Sequence, residues 1–142
     1  MAEVQAAPDA APQVGLVRLY ALRALFLLMA IFLLTGVAPA LASPAPTLMT
    51  GVARALFTAL GLLALLGVRY PLRMLPLMLF EGVWKAAWLA AYGLPLWAAG
   101  ALDPDQAQTF KETGVGVILV LLVLPWTYVW AHYVREPGDR WR

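Results

Sequence analysis

The residues of this chain best placed to do chemistry lie in Leu75-Pro76-Leu77-Met78-Leu79-Phe80-Glu81-Gly82-Val83-Trp84-Lys85-Ala86-Ala87-Trp88. Read as a helix crossing a bilayer, the segment carries Glu81 on the order of 10 Å inside the hydrocarbon and Lys85 near its middle. An ionisable group at that depth costs about 2.5 to 3.5 kcal/mol even on lenient insertion scales. The spacing supplies the compensation. Acid and amine stand four residues apart with the acid nearer the N-terminus, so the two head groups meet on one helix face and neutralise each other. A projection at ~100° per residue places Leu77, Glu81, Trp84, Lys85, Trp88 and Tyr92 together on that side. Gly82, Ala86, Ala90 and Gly93 fall roughly opposite, at the spacing that lets helices approach closely. Two readings follow. In one, the pair is an internal salt bridge that fixes helix rotation and packing. In the other, Glu81 and Lys85 sit in a polar pocket walled by Trp84, Trp88 and Tyr92, where they bind a ligand head group or relay a proton. Partners on both sides would make this helix the centre of the fold.

Composition dictates what must carry that segment. Of 142 residues, 63% are hydrophobic and 13% charged, too apolar for a surface that faces only water. The apolar residues fall in long uncharged runs between short clusters of Arg, Asp, Pro and Gly, which is the pattern of bilayer spans and their loops. The expected fold is all-α, an integral membrane four-helix bundle over residues 16–134, with spans at about 17–42, 48–68, 74–94 and 114–133. Residues 1–15 read as a disordered cytoplasmic tail and 135–142 as a second, basic one. The first span has a rival: Arg18, Arg23, an apolar stretch and Ala40-Leu41-Ala42 also describe a signal peptide. Arg54, in the first turns of the second span, is expected to reach back to the head groups. Gly93 and Pro95 weaken the third helix. Pro125 takes the helical partner from the carbonyl of Leu121 and kinks the fourth.

Arg18, Arg23, Arg69, Arg73, Arg135, Arg140 and Arg142 lie on one side of this topology, against Arg54 and Lys111 on the other. The excess places both termini in the cytoplasm of a multi-pass protein of the bacterial inner membrane. Trp126, Tyr128, Trp130 and Tyr133 form an aromatic belt near the same interface, where His132, Arg135, Arg140 and Arg142 are candidates for lipid head groups.

Several functions are excluded. There is no cysteine, so no disulfide and no thiolate metal site, and a lone histidine makes a poor metal centre. No phosphate-binding glycine loop, nucleophile elbow or cofactor motif occurs, and a net charge of +2 carried at span ends does not suggest nucleic acid. No catalytic residue, metal or cofactor is assigned. The partners implied are the lipid bilayer and either further copies of the chain or a larger membrane complex.

The segment Leu75-Pro76-Leu77 to Phe80-Glu81 with Trp84-Lys85, and the ending His132-Tyr133-Val134 to Pro137-Gly138-Asp139-Arg140-Trp141-Arg142, resemble a group of small four-span bacterial inner-membrane proteins. The resemblance implies a bacterial origin and brings no activity with it. The number of spans is also similar to that of DoxX-like membrane proteins, without their glycine and arginine pattern in the first span. The function expected is a small binding or accessory subunit built around the Glu/Lys/Trp cluster. Its alternatives are a proton-coupled transporter or channel subunit, and a membrane enzyme acting on a lipid or quinone through Glu81.

Overall fold

A computed structural model describes residues 13–138, so most of the expected N-terminal tail, together with Arg140 and Arg142, lies outside the described residues. Every regular element among them is helical. The first helix, α1 (Leu16–Phe32), is a run of Leu, Ala and Phe that buries Leu22, Phe26 and Ala30 at four-residue intervals, one stripe of its surface. It continues through a π turn at Leu33–Val37 and a 3-10 turn at Ala38–Ala42. The second, α2 (Leu48–Arg69), starts where the Thr47 hydroxyl accepts a 3.1 Å bond from the Thr50 N–H, and ends on Arg69, whose charge suits a helix C-terminus. It buries Leu60, Gly61, Ala64 and Gly67. The small residues let α1 lie close, with the ring of the fully buried Phe26 occupying the space that a Gly67 side chain would need.

Helix α3 (Leu75–Trp88) runs into a second π turn, Leu89–Gly93, and then α4 (Leu94–Ala98). A positive φ at Gly100 closes that end, the Ala101 and Gly100 N–H groups returning to the Leu96 and Trp97 carbonyls. Helix α5 (Pro104–Val123) follows; α6 (Trp126–Trp130) and a third π turn, Ala131–Arg135, are the last helical elements among the described residues. Two of the π turns share a cause legible in the sequence, since each ends two residues before a proline that continues the helical path, Pro39 and Pro95. A proline ring presses on the carbonyl four residues back and offers no N–H to it, and widening the preceding turn moves that carbonyl aside.

The most extensive packing is α1 on α2, then α3 on α5; α1 also touches α5, and α2 touches α3. Leu22, Phe26, Ala30, Ala64, Leu75, Met78, Val120 and Leu124 meet in one core. The third helix is therefore not the centre that its sequence suggested, and Ala86 and Ala90 on its small-residue side stay exposed. A second difference concerns the last span. Instead of starting near Gly114, α5 starts at Pro104 under a capping box, in which Asp103 accepts from the Gln106 N–H at 2.8 Å and Gln106 accepts from the Asp103 N–H at 3.2 Å. Instead of a kink at Pro125 there is a break, after which the chain turns by 77°. The Leu121 carbonyl, deprived of its helical partner, accepts from the Trp126 indole N–H at 2.8 Å.

Among the described residues two helices are long and apolar enough to cross a membrane, Leu16–Ala42 with mean hydropathy 2.4 and Leu48–Arg69 with 1.9. Pro104–Val123 and Trp126–Arg135 make a third if the bent pair counts as one span. The stretch from Leu75 to Ala98 is not among them, because Glu81, Lys85 and its tryptophans dilute the leucines. Leu27, Leu28, Ile31, Phe32, Leu62, Leu66, Ile118 and Leu122 point outward, exposed, as suits a protein with lipid for solvent.

Candidate functional site

The third helix presents Glu81 one turn beyond Met78, on the stripe that faces the core, so the carboxylate is carried inward with its apolar neighbours and is only 2% exposed. Lys85 follows one turn later, and its Nζ lies 2.6 Å from Glu81 Oε2. Burial of this carboxylate without its partner would leave a charge in a medium that cannot solvate it. The stem of Lys85 crosses to α5, where the absence of a side chain at Gly116 makes room for it: a Cβ there would stand 3.0 Å from Nζ and 3.2 Å from Cε. A second close approach, of Gly82 to Val120, holds the two helices at this distance. Trp84 packs its ring 5.2 Å from that of Phe57 on α2 and lies 5.4 Å from the Lys85 amine, a cation over an aromatic face.

These groups border a cavity of about 520 Å³ between α1, α2, α3 and α5. Its walls are apolar, with Leu25, Met29, Leu33, Phe57, Met78 and Leu119 among them, and Glu81, Trp84 and Lys85 form one polar patch. A second polar region lines it where Gln108, Thr109, Lys111 and Glu112 project from the first turns of α5; Gln108 donates to Glu112 at 2.7 Å. Inside, hydrogen bonding is incomplete. Among the described residues no aligned donor reaches Glu81 Oε2 beyond the charge contact with Lys85, and the Trp84 Nε1 is buried without an acceptor. Buried polar atoms are rarely left so, and a cavity lined by them suits a molecule that supplies the missing partners.

Of the residues singled out from the sequence, the structure thus brings together Glu81, Trp84 and Lys85. Trp88 lies one turn beyond Trp84 on the same helix, against Gly93, and does not border the cavity. Tyr92 is exposed; it sits in the π turn, where the wider winding rotates it off the face that a uniform 3.6-residue period assigns to it. His132 and Arg135 are remote from the cavity, in the last π turn. There His132 Nδ1 is 2.8 Å from Glu136 Oε2 and its ring stacks 5.4 Å from Tyr128, so the nearest partner of the imidazole is a carboxylate of this chain. Arg54, expected to reach back toward the head groups, donates to the Ala40 and Ser43 carbonyls at 3.0 and 3.3 Å, at the end of the first helical stretch.

Sequence reasoning missed Phe57, Gly116 and the polar turn of α5. Gly116 carried a signal, as a small residue within an apolar helix; Phe57 carried none, since its role depends on which face of α2 meets α3. Among the described residues no three His, Asp or Glu side chains converge as a metal site. In comparison with known proteins the chain matches no family model, no curated protein and no solved structure, so the functional reading stands on the geometry.

Proposed function

We propose that the protein is a four-helix bundle of the bacterial inner membrane, with both termini cytoplasmic, and that it serves as a small binding or accessory subunit whose cavity takes a lipophilic ligand. The arginine asymmetry of the loops supports the orientation, and outward-facing leucines support lipid contact. The segment Leu75–Ala98 is long enough to be the remaining span, covering roughly 36 Å at ~1.5 Å per residue against a hydrocarbon core of about 30 Å, provided Glu81 and Lys85 neutralise one another. Their 2.6 Å contact meets that condition.

One observation carries the reading: an apolar cavity of about 520 Å³ has an ion pair and an unpartnered indole N–H in its wall. A pair that served packing alone would be sealed by side chains. This one faces open volume of the size that small ligands fill. The test is organic extraction and mass spectrometry of protein purified in mild detergent, alongside Leu119→Trp, which fills the cavity. A lipophilic species bound in stoichiometric amount to the wild type and lost from the variant is expected. Equal amounts in both, or none in either, would refute the reading.

A further inference from the structure

Accepting that the cavity binds a lipophilic molecule, we infer that the polar end of that ligand is an uncharged hydrogen-bond acceptor, a carbonyl, and that phosphate-bearing lipids are rejected. The inference follows from the charge and the unmet hydrogen bonds of the polar patch. Lys85 and Glu81 sit 2.6 Å apart, so the site has no net charge to offer. In an apolar setting an anion brought to Lys85 would also face the Glu81 carboxylate, and repulsion between like charges is poorly screened there. Glu81 Oε2, the acceptor without an aligned donor, is already faced by the Lys85 ammonium at 2.6 Å, so what the patch has to spare is donors. The Trp84 Nε1 N–H is buried with no acceptor, and the Lys85 ammonium carries three N–H groups with only one carboxylate oxygen beside it.

A carbonyl oxygen accepts from both kinds of donor, carries no charge and brings little desolvation penalty. The apolar walls then take the hydrocarbon attached to it. A quinone, through its ring carbonyls, and a diacylglycerol, through its ester carbonyls, both carry such a group without a phosphate.

Native mass spectrometry of the full-length protein in detergent, titrated separately with decylubiquinone, dioleoylglycerol and dioleoylphosphatidylglycerol, tests the inference. Saturable binding of one of the first two, on the order of tenfold tighter than the phosphatidylglycerol, is expected, and which of them binds identifies the source of the carbonyl. Glu81→Gln, which leaves Lys85 without its counter-charge, should reverse the order in favour of the anionic lipid. Trp84→Phe keeps the ring against Phe57 and removes the donor, and should weaken the neutral ligand by about tenfold while leaving the thermal transition in place. Phosphatidylglycerol bound by the wild type as tightly as the neutral lipids would overturn the inference and leave the cavity reading intact. No saturable binding of any of the three would overturn both. The wild-type comparison needs no variant, so a substitution that fails to fold does not obscure the outcome.

Discussion

Removal of the Lys85 amine probes the ion pair most sharply, because the two partners are unequally buried. Glu81 is 2% exposed and Lys85 20%, so each charge, left alone, has a different escape. In Lys85→Met the carboxylate stays in the core stripe with Met78 beneath it and no other cation bonded to it, and the loss expected for an uncompensated buried charge is about 3 kcal/mol. In Glu81→Gln the amine keeps a long, flexible stem and open cavity volume to swing into, so the loss should be nearer about 1 kcal/mol. Replacing both, Glu81→Met with Lys85→Leu, removes the charges together and should fall within about 1 kcal/mol of the wild type. Unfolding in mixed micelles by titration with an anionic detergent, followed by circular dichroism, gives all three values against one reference. A loss in Lys85→Met no larger than that in Glu81→Gln, or a double variant as unstable as the sum of the single ones, would refute the reasoning.

Other consequences follow from single contacts. Gly67→Ala gains about 1 kcal/mol of helix propensity but drives a methyl into the buried Phe26 ring, so thermal melts in detergent should show a net destabilisation of about 1 to 3 kcal/mol. Gly116→Ala meets only the flexible end of Lys85 and should melt within about 1 kcal/mol of the wild type by the same measurement. Trp126→Phe removes the 2.8 Å bond to the Leu121 carbonyl; spin-label distances between the middle of α5 and α6 should broaden, and the loss of stability should be about 1 kcal/mol.

Much of the fold was legible because it follows from local rules. Uninterrupted apolar runs placed the first helix at 17–42, against an observed helical stretch of Leu16–Ala42, and the second at 48–68, against Leu48–Arg69. The spacing of Glu81 and Lys85 sufficed to bring their head groups together, since i and i+4 are neighbours on any helix. The early start of α5 was also written locally, in Asp103-Pro104-Asp105-Gln106, a capping box with proline at the first helical position, although the polar composition of the following turns is that of a loop between spans. The position of Tyr92 was less accessible, because a π turn breaks the period on which a helical projection rests. The Trp126 bond to Leu121 and the seat of Lys85 on Gly116 depend on how segments meet, as does the cavity, whose walls come from residues as far apart as Leu25 and Val120. Periodicity assigns residues to faces; it does not say which faces meet.

The central claim is that an acid and an amine are joined inside the helices, beside an apolar cavity and away from bulk water. Solid-state NMR on the protein in lipid bilayers measures this directly, through the dipolar coupling between labelled Lys85 Nζ and Glu81 Cδ and the rate of magnetisation transfer from water to Glu81. The 2.6 Å contact predicts a strong coupling with slow transfer. No measurable coupling, with transfer to Glu81 as fast as to the exposed Glu112, would contradict it.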